Sequence, residues 1–153
     1  MSYDNPYVEL AHGYLKAAEA LDADALSKLI TPDAKAQFLP SAPLGPLGEP
    51  TDKDGFLAVV NHLKKVMKDG RMPAEILEIT DASSAGLVIA HTKTKDAFTV
   101  AGQPYVNEYI IMLWMSEVEG ELKITRIQDF FDSTGTTVET IYITLRASIG
   151  PWK

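Results

Sequence analysis

The stretch Pro104-Tyr-Val-Asn-Glu-Tyr-Ile-Ile-Met-Leu-Trp-Met115 decides the class of fold. Read at alternate positions, it has two faces. One carries Tyr105, Asn107, Tyr109, Ile111, Leu113 and Met115; the other carries Val106, Glu108, Ile110, Met112 and Trp114. A period of two marks a strand, whose successive side chains point to opposite sides of a sheet. Both faces are mostly apolar, so both need cover. Helices on one side and a second copy of the chain on the other would supply it. The second copy would cover Ile110, Met112 and Trp114, an apolar face too large to leave wet. The polar members of the first face, Tyr105, Asn107 and Tyr109, gather at one end. An apolar floor with hydroxyl and amide groups at its mouth is the composition of a small-molecule pocket. The same pattern also fits tyrosines that only pack, with their hydroxyls in water.

Working outward, the same period recurs in Pro73–Thr80, Gly86–Thr94 and Leu122–Phe131. Asp81–Ala85 and Glu117–Glu121 read as hairpin turns, the latter with Gly120, and 95–102 as a longer connection. Upstream the spacing becomes helical. Val8, Ala11, Leu15, Ala18 and Leu21 form the stripe of a helix over Tyr7–Leu21, with Asn5 as cap and Pro6 at its first position. Asp24–Ile30 reads as a second helix, stopped by Thr31-Pro32-Asp33. A third starts at Thr51, buries Phe56, Val59, Val60, Leu63 and Met67, and ends at Asp69-Gly70. Between these lie a short strand, Ala34–Leu39, and a loop, Pro40–Pro50, with four of the nine prolines. The segment Thr136–Ala147 reads as a final helix or a strand. Helices gathered before a run of hairpin-linked strands mean α+β. A curved, mostly antiparallel sheet wrapped by three helices leaves a cavity between the layers.

Composition narrows the chemistry. The 153 residues fit one domain, 1–153, with a core of about 7–133 and a C-terminal segment 134–153. With 14 Lys and Arg against 21 Asp and Glu, the net charge of −7 argues against nucleic acid or an anionic membrane as partner. There is no cysteine, which removes disulfides, thiolate catalysis and cysteine metal sites. No dinucleotide, phosphate or hydrolase loop motif occurs, and no two histidines stand at metal-ligand spacing. Nothing resembles a signal peptide or a bilayer span, so the expected location is cytoplasmic. The chemistry that remains is proton transfer by Asp, Tyr, His and Asn, or binding alone.

Asp129 is the principal candidate. It sits among large apolar residues in Ile127-Gln128-Asp129-Phe130-Phe131. Pointing inward, it would be desolvated, its pKa would rise, and it would exchange protons near neutrality. Beside Tyr109 and Asn107 it would form a general base next to hydrogen-bond donors, an apparatus for moving a proton next to a carbonyl. Pointing outward, it is an ordinary solvated carboxylate. Asp132, before Ser133, reads as a cap or turn residue. His62 flanks the stripe of the third helix, His91 shares a strand face with Ile89 and Lys93, and His12 lies near the apolar edge of the first helix. On the first strand either Gln37 or Phe38 is the inward residue.

These residues carry a resemblance. The element order, with Phe38-Leu39-Pro40-Ser41 after the first strand, is similar to the nuclear transport factor 2-like superfamily. Gly102-Gln-Pro-Tyr105-Val-Asn107-Glu-Tyr109 and Gly120-Glu-Leu-Lys-Ile124-Thr-Arg-Ile127-Gln-Asp129-Phe130-Phe131-Asp132-Ser133 resemble its SnoaL-like branch, especially the small fungal proteins. The resemblance runs from about residue 7 to residue 133. It implies a cone-shaped α+β barrel around one deep cavity, often a homodimer through the sheet. The superfamily holds polyketide cyclases, ketosteroid isomerases, scytalone dehydratase, phenazine-pathway proteins and proteins without catalysis. Its enzymes generally need no cofactor, and move protons on a bound apolar substrate. By this resemblance Asp129 is the acid/base, one methylene shorter than the usual Glu. Tyr105, Asn107 and Tyr109 line the cavity and polarise a carbonyl, Tyr109 and Asn107 as catalytic residues; His62 looks in from the third helix by analogy with the phenazine-pathway proteins, His91 stands at a strand position often His in the fungal branch, and Gln37, from the residues alone, is a further candidate for the substrate site. Where the family often has Ser-Leu after Leu-Pro, this chain has Ser41-Ala-Pro-Leu44, so the loop at the cavity mouth differs. Two functions follow: a lyase, isomerase or cyclase on a carbonyl metabolite of polyketide-like kind, or a binding or dimeric interaction module without catalysis.

Overall fold

The computed structural model describes residues 4–134 together with 138, 141, 144 and 145. The first helix, α1 (Pro6–Glu19), starts at Asn5, whose side chain accepts from the Tyr7 N–H at 2.9 Å. The second, α2 (Ala23–Leu29), is capped by Asp22 through the Ala25 N–H at 3.0 Å. Strand β1 (Ile30–Leu39) follows without a break, so Thr31-Pro32-Asp33, read as a stop, lies inside a strand. Its ladder is irregular between Ile30 and Lys35. Pro32 supplies no N–H there, and strands accept proline where the ladder is broken.

The proline-rich stretch is not a plain loop. It holds a helical turn, α3 (Ser41–Leu44), and a 3₁₀ turn over Gly45–Gly48. A Cβ on Gly48 would lie 2.4 Å from the Ser41 carbonyl oxygen, so this doubled-back turn needs glycine. A two-residue strand, β2 (Thr51–Asp52), pairs with β1 and leads into α4 (Lys53–Val66). Asp52, not Thr51, caps α4, through the Gly55 N–H at 2.9 Å.

Four strands follow: β3 (Ala74–Ala82), β4 (Leu87–Thr94), β5 (Glu108–Val118) and β6 (Glu121–Phe131). Glu119 and Gly120 both have positive φ, 52° and 81°, the turn that matches the twist of a tight hairpin. The sheet order is β2-β1-β6-β5-β4-β3, with β2 and β3 at the edges. Every pairing is antiparallel except β1 with β6, which is parallel, so the sheet is mixed. Strand β5 begins at Glu108 rather than Pro104, because residues 104–107 bond elsewhere. The Tyr105 N–H donates to the Ala97 carbonyl, and the Asn107 N–H to the Thr94 hydroxyl at 2.9 Å.

Register places the inner rows side by side. Tyr109 pairs with Thr92 and Phe131, and Ile111 with Ala90 and Asp129. Helix α1 lies across this face, touching β3, β4 and β6, while α4 packs on β1. Leu26, Val59, Val88, Leu113, Ile124 and Ile127 are the buried heart of the core. Each such side chain stabilises the fold by about 1.5–3 kcal/mol relative to exposure. Val138, Ile141, Thr144 and Leu145 are helical, and the rest of the tail falls outside the described residues. No helix among the described residues is long and apolar enough to cross a membrane.

Candidate active site

Between α1 and the inner faces of β3–β6 lies a cleft of about 750 Å³. That size is typical of small-molecule sites. Tyr14 and Ala18 of α1 form one wall; Met72, Thr92, Thr94, Tyr109, Ile111 and Asp129 form the other. Ala74 and Ile76 of the edge strand stand at one side.

Asp129 is held there by strand geometry. Ile127 and Phe131, two residues either side of it, are buried, so the period of two turns Asp129 inward with them. Its Oδ1 is buried with no hydrogen-bond partner. Burial pushes the carboxyl up from 3.8 to about 7, since nothing compensates the charge. Among the described residues it is the one carboxyl shifted upward. Asp81 and Asp132 shift down, because hydrogen bonds from Ser83 and Thr134 respectively favour their charged forms. Asp132 is a turn residue, accepting from the Thr134 N–H at 2.9 Å.

Tyr109 lines the cleft, and its hydroxyl is 2.5 Å from that of Tyr105. Tyr105 is buried behind it, and burial pushes its phenol up to about 12 against the pull of its hydrogen bonds. Asn107 is also buried and does not line the cleft. Its amide donates to the Tyr105 hydroxyl at 3.1 Å and to the Asp132 carbonyl at 3.0 Å. The network thus presents one phenol to the cleft and keeps two groups behind it.

The other expected lining residues are placed elsewhere. His91 and Gln37 lie on the opposite face of the sheet. The His91 ring pairs with Glu108 at 2.9 Å. Gln37 donates to the Gly48 carbonyl at 2.9 Å, and Phe38 takes the inward position. His62 is buried on α4 and hydrogen-bonds the backbone at Ile141, away from the cleft; its desolvation lowers its pKa.

Tyr14 is the residue that sequence reasoning passed over. It is 2 % exposed and lines the cleft. Desolvation, then the nearby Asp129 charge, raise its pKa well above 10, so it stays a neutral phenol. Ala11, Tyr14 and Ala17 are the buried residues of α1. A tyrosine between two alanines at a spacing of three was the available signal, since small neighbours let the helix approach the sheet. His12 also borders the cleft. Among the described residues no cluster of His, Asp and Glu is suited to a metal ion.

No protein-family model and no curated protein sequence matches the chain. Solved structures do. AusH from Aspergillus nidulans superposes with a TM-score of 0.73 at 19 % identity, over 88 % of this chain and 89 % of that one. The BvnE pinacolase from Penicillium brevicompactum gives 0.70 at 20 % identity, over 94 % and 97 %. A ketosteroid isomerase-like protein from Erwinia carotovora atroseptica gives 0.61 at 18 %, over 84 % and 95 %. The fold is therefore the α+β fold of these proteins, the cystatin-like or ketosteroid isomerase-like fold. At these identities the likeness is one of fold.

Proposed function

We propose that the chain is an isomerase, lyase or cyclase working by acid–base chemistry, without a cofactor, on a small apolar carbonyl metabolite of polyketide-like or similar secondary-metabolite kind. One observation carries this reading: a carboxyl whose Oδ1 is buried and unpartnered, and whose pKa desolvation raises to about 7, stands on the same inner face as a phenol, within a cleft of ligand size. Ionised Asp129 takes a proton from the carbon beside the substrate carbonyl. Tyr109 donates a hydrogen bond to the carbonyl oxygen as negative charge builds there, which stabilises the enolate. Protonated Asp129 then returns the proton at another position or to a leaving group. The pinacolase among the structural neighbours supports rearrangement chemistry on this fold.

The test needs no knowledge of the natural substrate. A panel of apolar ketones in deuterated water is followed by NMR for exchange of the proton beside the carbonyl. The wild type should accelerate exchange on at least one member, and Asp129→Asn should not. Binding without exchange in both proteins would leave a binding module.

We further propose a homodimer through the outer sheet face, where Ile110 and Phe130 are 39 % and 40 % exposed beside Met112 and Trp114. Arg126 stacks over Trp114 at 4.3 Å, a planar cation at the rim of that face. Sedimentation should give a dimer for the wild type and a monomer for Ile110→Asp. A wild-type monomer at micromolar concentration would contradict it.

A further inference from the structure

We propose that Asn5 and Asp81 are positioning residues: joined side chain to side chain, they clasp the start of α1 to the end of β3 and so hold the helix wall of the cleft over Asp129. This rests on the acid–base reading above and adds what keeps the carboxyl dry.

A bulge in β3 brings Asp81 into place. Ile76 pairs with Thr92 and Glu78 with His91, so two steps along β3 answer one step along β4, and Leu77 is the extra residue. Before the bulge, Ala74 and Ile76 stand on the cleft side, opposite Thr94 and Thr92. Strict alternation from Ile76 would send Glu78 and Thr80 to that side. The extra residue reverses the alternation. Ile79 and Asp81 take the inner positions instead, opposite Ala90 and Val88, which are both buried. The strand therefore ends with a carboxylate on the face that α1 covers.

Asn5 meets that carboxylate with its amide. The Asn5 Oδ1 accepts the Tyr7 N–H at 2.9 Å, the bond that starts α1, which leaves Nδ2 to face β3. Nδ2 donates to the Asp81 Oδ2 at 2.7 Å and to the Ser83 hydroxyl at 3.3 Å. The Asp81 Oδ1 accepts the Ser83 N–H at 2.9 Å, so the turn after β3 holds the carboxylate still. These hydrogen bonds keep its pKa below the usual carboxylate range, so Asp81 is ionised at neutral pH. A bond to an ionised acceptor is about twice as strong as a neutral one. The far end of α1 is tied as well: the Met72 N–H, just before β3, donates to the Glu19 carbonyl at 2.9 Å. Between the two ties lies the cleft, with Tyr14 and Ala18 of the helix on one side and Ala74 and Ile76 of the strand on another. Released at its first turn, α1 loosens about the Met72 tie and lets water reach Asp129, whose charged form then costs less. Ala11, Tyr14 and Ala17 still pack on the core, so the helix loosens rather than leaves. The phenols of Tyr14 and Tyr105 sense the Asp129 charge, and burial keeps both neutral; Glu9, His12, Lys16 and Glu19 line the cleft from α1.

The experiment follows the Asp129 carboxyl of the full-length protein by carbon-13 NMR as pH is varied, its signal assigned by its loss in Asp129→Asn. Asn5→Asp is the discriminating variant. Aspartate caps a helix as well as asparagine does, so α1 keeps its start, but a carboxylate now faces that of Asp81. The Asp129 midpoint should fall from about 7 by about half a unit toward the exposed value, and the rise of proton-exchange catalysis with pH should move with it. The added negative charge by itself would raise that midpoint, so a fall reports the entry of water. Asp81→Asn sets two amides against each other and should also lower the midpoint. Combining the two substitutions restores the bond with its polarity reversed, carboxylate on α1 and amide on β3, and should return the midpoint to that of wild type. A midpoint unchanged in both single variants, or one that the combined variant does not restore, would overturn the clasp. A wild type that catalyses no exchange, with midpoints that shift and return as described, would instead remove the acid–base reading and leave the clasp standing.

Discussion

Replacing Asp129 by Asn should stabilise the protein, and the gain should grow with pH. In the native state the carboxyl keeps its proton up to about 7, whereas the ordinary value for an exposed Asp is 3.8. Between those values the folded protein holds more protons than the unfolded chain, so stability falls as pH rises. Below 3.8 the carboxyl is neutral in both states and contributes nothing of this kind. Above 7 the buried charge is paid for in full. At about 1.4 kcal/mol for each tenfold change in affinity for the proton, the penalty comes to about 4 kcal/mol at pH 8 and about 2 kcal/mol at pH 5. Asparagine has nearly the same shape and no charge. Any difference in its hydrogen bonding is independent of pH and cancels when two pH values are compared. Urea unfolding of both proteins at pH 5 and pH 8 should show the stability difference widening by about 2–3 kcal/mol in favour of Asp129→Asn at pH 8. In thermal melts that is on the order of 5–10 °C for a chain of this size. A difference that is the same at both pH values would refute the desolvated carboxyl, and with it the reason for choosing Asp129 as the base.

The same titration sets the pH dependence of exchange catalysis: ionised Asp129 is the base, so the rate should rise through about pH 7 and level above it, and a flat profile from pH 5 to 9 would exclude Asp129. Leu113→Ala, at the centre of the inner row and 0 % exposed, should cost about 2–5 kcal/mol in urea unfolding, and a loss below 1 kcal/mol would mean that the core collapses around the gap.

Local rules account for much of the fold. Asn5 and Pro6 start α1 as a cap and a first-turn proline should, because both act within one turn of chain. The two-residue alternation through 105–115 survives although regular pairing begins only at Glu108: Tyr105, Asn107, Ile111, Leu113 and Met115 are all buried. Thr94 holds residues 105–107 in register through its side chain, so the faces persist where the ladder does not. The proline-rich segment misleads because proline forbids long helices but permits a single turn, which is what Ser41–Leu44 makes.

Pattern along the chain was enough to place Asp129 on the row of Ile127 and Phe131 and to set Tyr109 on a facing strand, since a strand's side-chain direction follows from its own backbone. It could not say that α1 would cross that row and bring Tyr14 to Asp129 from 115 positions away in sequence. Nor could it say that Asn107 would be used up by Asp132 across the hairpin, that His62 would turn to Ile141, or that β1 would join β6 in parallel. Those outcomes depend on which apolar faces bury one another, a sum over contacts distant in the chain. The proton affinity of Asp129 is of the same kind: its residue type supplies the carboxyl, and only the surrounding packing takes away the water that would have kept it a weak base.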